Sequence, residues 1–184
     1  NDTEPTAAVS GDTSLNEGTA GSYDASSSTG YDTPLSYEWD WDYNGITFDI
    51  DSDTGNTVTN SHTWNDNGTY TVAVRVTDAD GSIDIATIEV TVGDTAPTAG
   101  FSWNPEPQNE GSEVSFTDTS TSSPDNITEW SWDFGDGSTS SEQNPSHSYA
   151  DNGSYDVKLE VTDDDGTKDS ISKTITIKNV APTA

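Results

Sequence analysis

Two tandem β-sandwiches joined by a short linker are what this sequence predicts, an all-β fold carried by three observations. Apolar residues alternate with polar ones in short runs, turn-forming residues crowd the joints, and the whole pattern is written twice. The first copy opens on Glu4-Pro5-Thr6-Ala7-Ala8-Val9-Ser10, which recurs as Ala96-Pro97-Thr98-Ala99-Gly100-Phe101-Ser102. Asn16-Glu17-Gly18 recurs as Asn109-Glu110-Gly111. Tyr37, Trp39, Trp41 and Tyr43 then alternate with acids, as a strand with one apolar face should. The spacing matches Trp39-Asp40-Trp41-Asp42-Tyr43 to Trp130-Ser131-Trp132-Asp133-Phe134, which pairs Trp41 with Trp132. Ser61-His62-Thr63-Trp64 and Asn67-Gly68-Thr69-Tyr70 recur as Ser146-His147-Ser148-Tyr149 and Asn152-Gly153-Ser154-Tyr155.

The clearest strand follows. Tyr70, Val72, Val74 and Val76 alternate with Thr71, Ala73, Arg75 and Thr77, and Tyr155, Val157, Leu159 and Val161 do the same. Each run meets an Asp-Gly turn, Asp78-Ala79-Asp80-Gly81 or Asp163-Asp164-Asp165-Gly166, because glycine accepts positive φ at no steric cost. A last strand carries Ala86, Ile88, Val90 and Val92, matched by Ile171, Lys173, Ile175 and Ile177. The offset between copies falls from 92 residues at Glu4 to 85 at Tyr70, so the first copy holds extra residues, mostly between Trp41 and His62. The expected boundaries are residues 1–94 and 95–180. Residues 181–184, Ala-Pro-Thr-Ala, read as the opening of a third copy or as a strand donated to a neighbour. Strands at this spacing make a sandwich, and about 90 residues suffice for one core.

Composition narrows the function. There are 34 acids against 5 bases, a formal net charge of -29, which disfavours nucleic acid and anionic lipid because both are bound by Lys and Arg. No apolar stretch is long enough to span a bilayer, and no signal segment is legible. Zero Cys removes disulfides, thiolate zinc sites and cysteine nucleophiles. Of the 34 acids 24 are Asp, and only four Lys are present, a balance like that of proteins from halophilic microbes. Concentrated salt shrinks the Debye length to about 3 Å and silences such repulsion.

Trp132-Asp133-Phe134-Gly135-Asp136-Gly137, then Asn144-Pro145-Ser146-His147-Ser148-Tyr149, then Gly153-Ser154-Tyr155-Asp156-Val157, resembles the PKD (polycystic kidney disease repeat) domain. The first copy departs from that signature at Trp41-Asp42-Tyr43-Asn44-Gly45 and in the longer loop after it. The resemblance covers nearly the whole chain. It implies an immunoglobulin-like sandwich, and a place in cell-surface proteins or as a spacer in secreted hydrolases.

Trp41 and Trp132 are expected as core anchors, with Trp39 and Trp130 on the same face. Trp64 could instead be exposed for stacking on sugar, but it matches Tyr149 at a turn entry, where an aromatic is structural. His62 and His147 occupy equivalent places and read as buried, hydrogen-bonded groups. Asp40 and Asp42 are expected on the wet face of their strand, ionising normally. No hydrolase, phosphate-loop or zinc motif is present, so no active site is expected. Asn67, Asn126 and Asn152 fit the glycan-acceptor pattern, as does Asn1-Asp2-Thr3; turn chemistry is the plain alternative.

Calcium is the sharpest site expectation, since Ca²⁺ takes hard oxygens from Asp, Asn and carbonyls. PKD domains of bacterial collagenases bind Ca²⁺ near the entry of the first strand, and the resemblance carries that here to Asp94 and Thr95 with Asp125, and to Asn1 and Asp2 with Asp32. The paired Asp-Asp of those loops is missing from both copies. The Asp78/Asp80 and Asp163/Asp165 hairpins lack the other ligands of an EF-hand loop. The expected function is an extracellular structural or interaction module, for spacing, adhesion or head-to-tail self-assembly, in a cell-surface or filament-forming protein of a halophilic archaeon or bacterium. The alternative is an accessory, substrate-binding or spacer segment of a secreted polysaccharidase or protease. Carbohydrate is a further partner that the alternative implies.

Overall fold

The computed structural model describes residues 3–51 and 56–181. The chain divides into two units, Asn1–Asp94 and Thr95–Ala184. In the first, β1 (Ser10–Gly11), β3 (Ala20–Asp24) and β5 (Thr59–Thr63) form one sheet in the order β1-β3-β5. The other sheet is β2-β7-β6-β4, from β2 (Ser14–Asn16), β4 (Ser36–Asp40), β6 (Gly68–Thr77) and β7 (Ile83–Gly93). The second unit repeats the plan with β8 (Phe101–Asn104), β10 (Glu113–Asp118) and β13 (Ser146–Ser148) in the order β13-β10-β8. Facing them are β9 (Gln108–Asn109), β11 (Ile127–Asp133), β12 (Thr139–Ser140), β14 (Gly153–Asp163) and β15 (Lys168–Lys178), in the order β12-β11-β14-β15-β9. Within each unit all pairings are antiparallel except the short β2 on β7 and β9 on β15.

The long hairpins carry the alternation into the core. Val72, Val74, Val76 and Val90 are fully buried in the first unit, and Val157, Leu159, Val161 and Ile175 in the second. Their turns close on Asp78 N–H to the Ser82 carbonyl and Asp163 N–H to the Thr167 carbonyl. Gly81 and Gly166 take φ of +97° and +89° there, a conformation that costs a residue with a Cβ about 1 kcal/mol or more. Tyr70 and Tyr155 each donate their hydroxyl to a carbonyl four residues earlier, Asp66 and Asp151, at 2.9 Å. That is the tyrosine corner of immunoglobulin-like sandwiches.

Each core is threaded by an aromatic stack that ends on a histidine. Trp39 stacks on Trp41 (5.6 Å, 12°) and Trp41 on His62 (4.9 Å, 15°). In the second unit Trp132 stacks on Phe134 (6.3 Å, 12°) and Phe134 on His147 (4.3 Å, 9°). Trp39 lies opposite Val74 and Trp132 opposite Leu159, positions that are themselves equivalent in the two long hairpins. Trp39 therefore matches Trp132, and Trp41 matches Phe134. The sequence pairing of Trp41 with Trp132 is corrected by two residues. Both tryptophans are buried as expected, at 4% and 1% exposure.

The corrected register places the extra residues of the first copy. Trp41 and His62 stand 21 positions apart, Phe134 and His147 only 13. The longer connection returns along the open edge of β4. Asp51 N–H donates to the Trp39 carbonyl, Asp51 Oδ2 accepts Trp41 N–H, and Asn56 Oδ1 accepts Tyr37 N–H. Side-chain oxygens thus cover an edge that would otherwise invite another strand. In the second unit a real strand, β12, pairs with Trp132 and Asp133. The tight turn before it uses Gly135, where an added Cβ would lie 2.7 Å from the Asp156 carbonyl oxygen.

Candidate functional site

The acidic residues singled out from the sequence fall at loops and strand ends. In the second unit Asp125 lies in the connection between β10 and β11 and is only 8% exposed. Its neighbour Asn126 donates its N–H to Asp164 Oδ1 at 3.1 Å, which ties that connection to the β14–β15 turn. Across the same contact Asp125 and Asp165 bring carboxylate oxygens within 4.8 Å of each other. Thr95 is half-buried at the start of this unit. In the first unit Asp94 is half-buried at its end, and its carboxylate lies within 4.8 Å of that of Glu17, which is 3% exposed. Asp32 is half-buried, and its carbonyl accepts Ala79 N–H at 3.4 Å. Asn1 and Asp2 lie outside the described residues. Sequence reasoning chose Asp125 and set Asp165 aside within its own hairpin, because only the fold brings the two turns together.

Asp78 Oδ1 accepts Ser82 N–H at 2.9 Å, and Asp163 Oδ1 accepts Thr167 N–H at 2.7 Å. Both aspartates therefore serve their own turns. Burial, helped by Asp80, pushes the Asp78 carboxyl above the ordinary carboxylate range.

Asp40 departs from the expectation that it faces water. It is 1% exposed, because the long connection of the first copy folds over it. Its Oδ1 accepts Asp42 N–H and its Oδ2 accepts Asp49 N–H, at 3.2 and 2.9 Å. Burial raises its pKa; the two N–H groups oppose that, and the Asp51 and Asp42 charges add to it. Asp40, Asp42 and Asp51 hold carboxylate oxygens within 4.8 Å of one another, with Asp42 and Asp51 exposed. Asp133, the counterpart of Asp40, is exposed, as the shorter loop leaves it.

The histidines divide. His147 Nε2 lies 2.7 Å from Asp136 Oδ2, in the Gly135-Asp136-Gly137 turn. His62 has burial as its first influence, which holds its pKa below the ordinary imidazole value against the pull of Asp51 and Asp42. Trp64 is 4% exposed and packs edge-on to Tyr23 and Trp41, which removes it as a sugar platform. Trp130 is half-buried and donates Nε1–H to Asp118 Oδ2 at 2.8 Å. Burial would raise Asp118, but bonds from Ser120, Trp130 and Gln143 outweigh it and hold the carboxyl below its usual range. Asn67, Asn126 and Asn152 are all exposed.

Two sandwiches with the same strand order, the same tyrosine corner and the same aromatic–histidine stack define a tandem immunoglobulin-like repeat. The PKD domain pattern matches residues 2–92 and again 94–178. The chain belongs to the PKD domain family. It is 44% identical over 89 residues to the pre-pro-metalloprotease PrtV of Vibrio cholerae, covering 48% of this chain and 9% of that protein. It is 36% identical over 87 residues to a microbial collagenase of Vibrio alginolyticus, covering 47% of this chain and 11% of that protein. The chain thus spans about a tenth of the length of these relatives. Among solved structures it is similar to the PKD1 domain of PrtV, with 43% identity, a TM-score of 0.41 and coverage of 45% of this chain and 98% of that one. Among the described residues no helix is long and apolar enough to cross a membrane.

Proposed function

We propose that the two PKD domains are a non-catalytic spacing and interaction segment of an extracellular protein, serving adhesion or self-assembly. One observation carries this reading. The family pattern accounts for residues 2–92 and 94–178, so the chain is a repeated structural module almost from end to end. The large aromatic residues support it: Trp39, Trp41, Trp64 and Trp132 are all committed to the two cores. The test is direct. The purified chain, incubated with labelled gelatin, casein and soluble polysaccharides, is expected to release nothing. In the parent protein, deleting both domains should leave turnover of a small soluble substrate unchanged and alter surface retention or assembly. Turnover by the chain itself would refute the reading.

A second reading is favoured by the identity with secreted-protease relatives, 44% with a metalloprotease and 36% with a collagenase. In it the same segment is an accessory of a secreted hydrolase. A catalytic domain on the same polypeptide would select this reading. The self-assembly variant places a head-to-tail contact at the closing Ala-Pro-Thr-Ala, of which residues 182–184 lie outside the described residues.

Calcium belongs to the same proposal. A buried carboxylate facing a second one within 4.8 Å is the donor set that a hard divalent cation relieves, and Asp125 with Asp165 supplies it in the second unit. Glu17 and Asp94 make a separate acidic pair in the first unit, at positions that are not the repeat counterparts of Asp125 and Asp165. Calorimetric titration with Ca²⁺ should show binding that Asp125→Asn weakens; heat unchanged in that variant would rule the assignment out. Glycan attachment at Asn67, Asn126 or Asn152 is read from the mass of the native protein against 19.5 kDa.

A further inference from the structure

The two copies differ sharply where the first strand turns toward the last. The strand registers place Trp103 in β8 at the position of Gly11 in β1, and Gln108 in β9 at that of Leu15 in β2. Leu15 packs against the apolar core of the first unit. Its replacement is a primary amide that is more enclosed than the half-buried leucine, with Gln108 only 3% exposed. Gln108 Nε2 has no hydrogen-bond partner among the described residues, and neither has Trp103 Nε1. Folded proteins satisfy nearly all such groups, and an exception calls for a partner outside the chain.

Both residues line one pocket of about 460 Å³, together with Glu106, Thr174, Thr176 and Lys178. That volume suits a small-molecule site. An indole offers a flat apolar face, two N–H groups lack acceptors, Lys178 donates, Glu106 accepts, and the two threonines do either. The one positive and one negative side chain balance, so the pocket selects neither an anion nor a cation. A ligand with an apolar ring face edged by hydroxyls that both donate and accept meets all of these terms.

We propose that this pocket of the second unit binds a neutral carbohydrate, with the Trp103 ring and the Gln108 amide as its recognition elements. The site names a partner for the interaction segment described above and rests on that reading. The first unit, with Gly11 and Leu15 in these places, lacks it.

The experiment titrates the full chain with cellohexaose, chitohexaose and xylohexaose, following side-chain N–H resonances by NMR. At least one sugar is expected to move the Trp103 indole and Gln108 amide signals, with a Kd of about 1 mM or tighter. Gln108→Leu, which installs the residue of the first copy, should weaken binding at least about tenfold. Trp103→Ala should do the same, and Thr176→Ala, at an exposed position, is the check should Trp103→Ala fail to fold. Three results would overturn the site: no movement with any of the three sugars, undiminished binding by Gln108→Leu, or movement with a proline-rich peptide in place of sugar. None of these bears on the spacer reading, which falls only if the chain itself turns over a substrate.

Discussion

Replacing Gly21 with valine should destabilise the first unit, and removing one oxygen from Tyr23 should restore it. In the second unit the equivalent pair is Val114 and Phe116, placed there by the registers of β3 on β5 and β10 on β13. The first unit holds a tyrosine 2% exposed, whose hydroxyl has no hydrogen-bond partner among the described residues. A Cβ added at Gly21 would stand 2.7 Å from that hydroxyl and 3.2 Å from Leu15 Cδ2. Overpacking of this kind costs about 1–3 kcal/mol. Tyr23→Phe alone removes an unpartnered polar atom and leaves a one-atom void, so stability should hold or rise by about 1 kcal/mol. In Gly21→Val with Tyr23→Phe the new methyl groups fill that void, and the coupling between the two changes should reach about 1–3 kcal/mol. Urea denaturation of the four proteins in the cycle measures it. A Tyr23→Phe variant weaker by more than about 1 kcal/mol would show that the hydroxyl is bonded. Additive changes would show that the two positions do not compete for space. Spectrophotometric titration adds a check, because burial, then Asp12, pushes the Tyr23 phenol up to about 12.

Other outcomes follow from the same geometry. His62 is held below the ordinary imidazole pKa, so the unfolded chain takes up its proton first. First-unit stability should therefore fall as pH drops from about 6.5 through the folded value, and His62→Phe should remove that loss in urea midpoints measured across the range. Asp40 has the opposite sign: its raised pKa favours the protonated folded form, and stability is gained as pH falls toward the ordinary carboxylate value. Asp51→Ala leaves the Trp41 N–H without its acceptor, should cost about 1–3 kcal/mol, and should speed proteolysis between Tyr43 and Val58. With a net charge of -29, the melting temperature should rise by several degrees between roughly 0.1 and 1 M NaCl, and a flat response would count against salt adaptation.

Much of the architecture was legible because its causes are local. Val72 to Val76 alternate with period two, and Asp80-Gly81 can turn only one way. The register of the Trp-rich strand was not legible. Trp39-Asp40-Trp41 and Trp130-Ser131-Trp132 alternate equally well in either alignment, and only the partners Val74 and Leu159 decide between them. The burial of Asp40 was hidden for a different reason, because it depends on the long connection of the first copy, which folds back to give it the Asp49 N–H nine residues on. The immunoglobulin-like class followed from the residues Trp132 to Gly137, whereas the Asp125–Asp165 approach required two turns to meet. Trp103 and Gln108 could have been found by aligning the copies residue by residue, since a tryptophan opposite a glycine is a signal that composition conceals.

The exchange of Gly11 opposite Tyr23 for Trp103 opposite Phe116 bears on how the chain avoids tangling with itself. Neighbouring copies of one module are prone to trade strands while folding, and the hybrids are traps. A hybrid that set β8 beside β3 would bring Trp103 to a place where even a Cβ stands 2.5 Å from the Tyr23 ring, and one that set β1 beside β10 would leave the place of that indole empty. Two cores of equal quality but mismatched shape thus make each half of the chain choosy about its own strands.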